Sequence, residues 1–131
     1  MTPPRALQPE STLAVCSALE SVSIAEVEHQ RDELAARFFG AEEFAAIAGR
    51  RAQTTAGFLA AKRALVRLFA EGAGKPRFEE RDFRLTHEPN GAPRVASLPA
   101  GVQAEGKLRI SISHTRDFAY ALAVLEGDLD G

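Results

Sequence analysis

From Phe44 to Ala70 the chain carries no acidic residue, yet the same stretch holds Arg50, Arg51, Lys62, Arg63 and Arg67. Within it, Phe58, Ala61, Leu65, Leu68 and Phe69 recur at three- and four-residue spacing, the period of one face of an α-helix. The spacing predicts a long helix over about Ala52 to Phe69 whose apolar stripe must find a core. Arg63 and Arg67 lie one turn apart on the opposite face, and Lys62 is read at the edge of the stripe. The net charge is only −2, so these cations are a local concentration. Such a face is either a solvated basic surface or an anion site, most simply a phosphate site. Gly57 costs the helix interior about 1 kcal/mol relative to alanine. A glycine there can mark a close approach, but the sequence names no partner.

The chain has 131 residues, of which 45% are apolar and 26% charged. That is enough for one domain with its own core. The balance of 16 basic against 18 acidic residues gives no global attraction to nucleic acid or to a membrane surface. Cys16 is the only cysteine, which excludes an internal disulfide framework and a cysteine zinc cluster. No apolar run reaches membrane-spanning length and no leader opens the chain, so a cytoplasmic location is expected. The expected division is a flexible arm over 1–11, one domain over 12–126 and a tail over 127–131.

Taken in order, Thr12 to Leu19 reads as a strand, with Glu20 directly after it. Its small residues Ala14, Cys16 and Ala18 would admit a close neighbour. Ser23 and Glu26 have capping-box spacing, flanked by Val22 and Val27 as a hydrophobic staple. They predict a helix from Ser23 to about Phe38. Gly40 breaks it, and a short helix follows over Ala41 to Ala48, ending at Gly49. Asp82 to His87 alternates as a strand. Pro89-Asn90-Gly91 is a turn, and Arg94 to Ser97 returns beside it. Leu108 to Ser113 alternates cleanly. His114 to Asp117 turns, and the mostly apolar Phe118 to Leu125 returns as a central strand. Helices and strands fall in blocks, which favours α+β: a small antiparallel sheet packed on the long helix.

The residues with usable chemistry are Glu20, Lys62, Arg63, Arg67, Ser113 and His114, with Ser111 beside them. Ser113 and His114 are strand neighbours that point to different sides, so they do not make a hydrolase pair. The histidines at 29, 87 and 114 lack metal-ligand spacing. His29 and His87 read as solvent-facing. His114 differs because it ends the clearest strand and opens a tight turn, where side chains are often presented to ligands. Gly74-Lys75 lacks the spacing of a phosphate-binding P-loop.

Several short patterns also meet in a recognisable order. Phe58-Leu59-Ala60-Ala61-Lys62-Arg63-Ala64-Leu65-Val66-Arg67 is followed by Gly72-Ala73-Gly74, then Glu88-Pro89-Asn90-Gly91-Ala92-Pro93-Arg94. Ser111-Ile112-Ser113-His114 and Phe118-Ala119-Tyr120-Ala121 close the series, with Phe39-Gly40-Ala41-Glu42-Glu43 upstream. In these motifs the chain resembles the holo-acyl-carrier-protein synthase family, the small 4′-phosphopantetheinyl transferases, over about Leu13 to Glu126. The resemblance implies transfer of phosphopantetheine from coenzyme A to a serine of an acyl carrier protein. It implies catalytic roles for Lys62 and Arg67, coenzyme A contacts from Lys62, Arg63, Arg67, Ser113 and His114, and a metal-ligand position at Glu20. It also implies a homo-oligomer, a trimer, with sites between subunits.

The departures fall on the chemistry. The family holds magnesium with an Asp after the first strand and a Glu after the helix Lys, and the matching positions here are Glu20 and Arg63. Magnesium needs oxygen ligands, which a guanidinium cannot supply. Arg67 replaces a lysine and does not deprotonate, so it is a poor general base. Ala92 replaces the lysine of the glycine-lysine-proline turn. Two readings follow: an active transferase, or a degenerate relative that binds coenzyme A, a carrier protein or a partner subunit without transfer. The substitutions predict weak or absent magnesium binding and a Glu20–Arg63 salt bridge in the place of the ion.

Overall fold

The alternating segments become the sheet. In the computed structural model, which describes residues 13–70, 77–102 and 108–128, β1 (Leu13–Ser23), β4 (Leu108–His114) and β5 (Phe118–Asp128) form a three-stranded antiparallel sheet in the order β1-β5-β4. β5 is central, as its apolar composition predicts. The β4–β5 turn is closed by Thr115, whose hydroxyl accepts from the backbone N–H of Asp117 and of Phe118 at 3.3 and 3.2 Å. A separate hairpin pairs β2 (Arg84–His87) with β3 (Pro93–Ser97). Gly91, at φ 91°, sits in its turn, and the Asn90 side chain accepts from Ala92 N–H at 2.9 Å.

Among the described residues, four α-helices connect and cover these strands: α1 (Ile24–His29), α2 (Arg31–Phe38), α3 (Ala41–Ile47) and α4 (Ala52–Leu68). Ser23 caps α1 by accepting from Glu26 N–H at 3.3 Å, and the staple residues Val22 and Val27 are both buried. The single helix expected from Ser23 to Phe38 is two. It breaks at Gln30, whose N–H is shared between the carbonyls of Glu26 and Val27. The cause is visible in the sequence: the apolar stripe of Ile24 and Val27 meets Arg31 at its next position and resumes only at Leu34, so nothing holds one axis.

β1 is longer than predicted. It pairs with β5 from Leu13 opposite Asp128 to Ser23 opposite Phe118, so Glu20 lies inside the strand, opposite Ala121, rather than after it. The same pairing places Gly127 and Asp128, expected in a tail, at the end of β5. The expected arm over 1–11 and the Gly72-Ala73-Gly74 helix end lie outside the described residues.

α4 is buried along most of its length and packs across β5, β1 and β4. Small residues meet the sheet from both sides: Ala56, Ala60, Ala61 and Ala64 on α4, and Ala18, Ala119, Ala121 and Ala123 on the strands, all buried. The large stripe residues pack at the flanks. Phe58 stacks on His87 with ring centroids 4.8 Å apart, and Phe69 on Phe83 at 5.8 Å. Leu68 and Phe69 are only half-buried.

Gly57 has a partner that sequence did not name. A Cβ at this position would stand 2.6 Å from Cγ2 of Ile112 on β4. Because that methyl is fixed to a branched Cβ, relief requires α4 and β4 to move apart. Gly57→Ala is therefore expected to carry an overpacking cost of about 1–3 kcal/mol against a helix-propensity gain of ~1 kcal/mol, for a net loss of up to about 2 kcal/mol. Urea denaturation reads the sign directly, and a stabilised variant would contradict the close packing.

Candidate active site

The residues singled out in the sequence fall into three places along α4. The first is its middle. Lys62 is not at the edge of the stripe but in its centre, with a side chain 0% exposed beside Glu43 at 2%. Its ammonium donates to Glu43 Oε1 at 2.7 Å and to the carbonyls of Phe83, Phe38 and Glu80 at 2.6, 3.0 and 3.3 Å. Glu43 in turn accepts from Gly40 N–H on Oε1 at 2.8 Å and from Leu85 N–H on Oε2 at 2.7 Å. One ion pair thus ties α4 to the end of α2, the start of α3 and the entry to β2. Burial pushes the Lys62 ammonium below its ordinary value, and the hydrogen bond and charge of Glu43 oppose that push. With its donors spent on protein oxygens and no solvent face, Lys62 is a tether here rather than the phosphate ligand or catalytic group expected of it. The signal was present: Lys62 stands four residues after Phe58 and three before Leu65, inside the stripe.

The second place is the last turns of α4. Arg67 Nη1 donates to Glu20 Oε2 at 2.7 Å and to Leu19 O at 2.8 Å. Arg63 does not meet Glu20. Its Nε lies 4.0 Å from Glu80 Oε2, and its guanidinium sits 5.7 Å from the Phe38 ring centroid, with Arg37 at 4.8 Å from the same centroid. The expected Glu20–Arg63 salt bridge is therefore corrected to Glu20–Arg67. The crossing of α4 over β1 brings the final turn, not the one before it, above Glu20.

This geometry does not fit the magnesium ion that the resemblance implies. Glu20 is the single acidic member of the two matched positions, and its Oε2 is held by a guanidinium. Among the described residues, no group of three or more His, Cys, Asp or Glu is placed to hold a metal. Glu20, expected as a metal ligand, is here the partner of Arg67.

The third place is the N-terminal end of α4. Here a cavity of about 210 Å³ is lined by Gln53, Thr54, Phe58, His87, Gly91, Pro93, Ile112 and His114. His114 Nδ1–H donates to Thr115 O at 3.2 Å, leaving Nε2 to accept from Gln53 Nε2 at 3.4 Å. Ser113, adjacent on β4, faces the other side of the sheet and is not among the lining residues. Gln53 has no signal in the sequence, and His87, expected to face solvent, instead stacks on Phe58 and lines this cavity. For His87 the alternation of β2 was the available signal, since it shares a face with the buried Leu85. A larger concavity of about 500 Å³ lies between β3 and β4, near Arg94 and Arg109, and none of the expected site residues lines it.

His87 is held below its ordinary value of 6.5, first by burial and then by the charge of Arg50. A histidine depressed in the fold lets the unfolded chain take up its proton first. Its stabilising contribution is therefore present above pH ~6.5 and lost as the pH falls through the folded value. Melting temperatures from pH 7.5 to pH 5 should fall more steeply for the native chain than for His87→Gln. Equal slopes would remove the cavity-side placement of this ring.

Gln53 lies in the first turn and Arg67 in the last turn of this 17-residue helix, which separates them by about 20 Å at 1.5 Å per residue. The His114 cluster and the Glu20–Arg67 cluster are thus at opposite ends of α4, with the helix between them. One chain does not bring them together.

No protein-family model matches the chain. It is 30% identical over 112 residues to the holo-acyl-carrier-protein synthase of Streptococcus suis, a match spanning 82% of this chain and 87% of that protein. Its fold superposes on the holo-acyl-carrier-protein synthase of Helicobacter pylori in complex with coenzyme A, with a TM-score of 0.65, 25% identity and coverage of 83% of this chain and 98% of that one. The Mycobacterium tuberculosis acyl carrier protein synthase gives a TM-score of 0.64 at 26% identity, covering 86% and 97% of the two chains. With the α+β fold, the order of motifs and a relative aligned over most of both chains in agreement, the chain belongs to the holo-acyl-carrier-protein synthase family.

Proposed function

We propose that the chain binds coenzyme A and transfers its phosphopantetheine arm to a serine of an acyl carrier protein, at a site shared between copies of a homo-oligomer. The observation that carries this reading is the pair of clusters at the two ends of α4, in a fold shared with a synthase crystallised with coenzyme A. Arg63 and Arg67 supply fixed positive charge for the diphosphate. His114, Gln53 and the cavity around them supply a pocket of a size and polarity suited to part of the nucleotide. Because the two ends lie about 20 Å apart along the helix, the Arg end of one copy and the His end of another would complete a site.

The sheet offers the surface for such an assembly. Along β5 the inward residues Ala119, Ala121 and Ala123 are buried, so Phe118 and Leu122 face outward, and Leu19 stands directly opposite Leu122 on β1. Leu19, Phe118 and Leu122 are 58%, 42% and 38% exposed. An apolar sheet face of this kind favours burial against another chain. A trimer is the assembly the family resemblance implies. Among the described residues no helix is long and apolar enough to cross a membrane, and the proposed setting is cytoplasmic.

A second reading, binding without transfer, is favoured by a specific observation. Lys62 is sealed from solvent and Arg67 cannot act as a base, so neither helix cation takes the serine proton in this geometry. Intact-mass analysis separates the two. An apo acyl carrier protein incubated with the chain and coenzyme A should gain the mass of one phosphopantetheine. An unchanged mass, with coenzyme A still bound by the chain, selects the binding-only reading.

A further inference from the structure

The end of α4 holds too much positive charge for a metal site. Around Arg63 and Arg67 stands Arg37 on the shared Phe38 ring, against the carboxylates of Glu20 and Glu80. Three cations face two anions, so the group carries no excess negative charge to draw in a divalent ion. Every carboxylate in the group already has a cation within 4.0 Å.

We propose that the Arg63–Arg67 pair takes the diphosphate of its ligand directly and that the two guanidiniums stand in for the divalent cation. The inference rests on the coenzyme A reading above and names how that ligand's diphosphate is held. Two guanidiniums carry the same formal charge as one divalent ion. They project from one helix face a single turn apart, about 6 Å along the axis. Both are anchored from behind. Arg67 is fixed through Nη1 by Glu20 and Leu19, and Arg63 lies over the Phe38 ring. Anchoring reduces the rotamer entropy lost on binding. Both remain open to a ligand, with side chains 38% and 59% exposed for Arg63 and Arg67. Planar guanidinium forks match phosphate oxygens in pairs.

Glu20 then has a role that a metal ligand would not have: it orients Arg67 instead of binding an ion.

The test is calorimetric titration of coenzyme A into the full chain, once in EDTA and once in excess magnesium. The expected affinity is the same in both, within about 2-fold. Arg63→Ala and Arg67→Ala should each weaken binding at least about 10-fold in EDTA, the scale of a lost charge-assisted phosphate contact. Arg67→Lys, which keeps the charge, should lose less. Arg63→Glu should bind poorly both in EDTA and in magnesium, because position 63 faces Glu80 and not Glu20. Circular dichroism of each variant confirms that these exposed substitutions leave the fold intact. Binding by the native chain that disappears in EDTA and returns with magnesium would overturn the proposal while leaving the coenzyme A reading standing. Alanine variants that bind as the native chain does would also overturn it, because the diphosphate would lie elsewhere. No binding in either condition would overturn the coenzyme A reading itself.

Discussion

Glu43→Ala is expected to cost about 3–5 kcal/mol of folding stability, the range for breaking a buried ion pair by removing one partner. The substitution does more than delete a charge. It strands the Lys62 ammonium with three carbonyls and no counter-ion, and it leaves the backbone N–H groups of Gly40 and Leu85 without their acceptor. Four segments meet at this carboxylate, so the loss should be cooperative: the urea midpoint should fall while the slope stays unchanged. The double variant Glu43→Leu with Lys62→Met should recover much of the loss, because apolar groups of similar volume can replace a buried pair at little net cost. A Glu43→Ala chain destabilised by under about 1 kcal/mol would contradict the structural role given to Lys62.

Leu122→Glu is expected to take the assembly apart without unfolding the chain. In one copy Leu122 is exposed, between Leu19 on β1 and Ser111 on β4. The change should therefore move single-chain stability by no more than about 0.5 kcal/mol. Across an interface formed by this face, each symmetry-related copy would bring its own carboxylate into an apolar contact. The dissociation constant of the assembly should rise by more than about 100-fold, near 3 kcal/mol. Sedimentation analysis should show a single chain for the variant and, under the proposed assembly, an oligomer for the native protein. Under the proposed shared site, which takes both ends of α4, coenzyme A binding should be lost with it. An unchanged oligomer would move the interface elsewhere.

The fold was legible where local chemistry repeats. The alternation of Leu108 to Ser113, the apolar return from Phe118 and the stripe on α4 placed the central hairpin and the helix beneath it. The Ser23 cap and the valine staple placed the start of α1. What escaped reading was non-local. Nothing near Gly57 announces Ile112, because that contact depends on how α4 crosses β4. The same crossing decides that Arg67, not Arg63, reaches Glu20, although the two arginines are equivalent in helical periodicity. Lys62 was legible in principle, since its position lies within the stripe. A charged residue there requires a buried partner, and Glu43, in the first turn of the short helix after Gly40, is that partner. The motif order identified the family, whereas the altered positions Glu20, Arg63 and Arg67 acquired meaning only once their partners were known.

The measurement closest to the central claim, a ligand site completed by a second copy, is a mixing experiment with Arg67→Ala and His114→Ala chains. Each variant alone lacks one end of every site and should bind coenzyme A weakly. Unfolded together in equal amounts and refolded, they should form mixed oligomers. In these, about one quarter of the sites pair an intact Arg67 from one copy with an intact His114 from another. Calorimetry should then show native-affinity binding at about one quarter of the native stoichiometry. A mixture that binds no better than its two components would contradict a shared site and place both halves of the binding chemistry within a single chain.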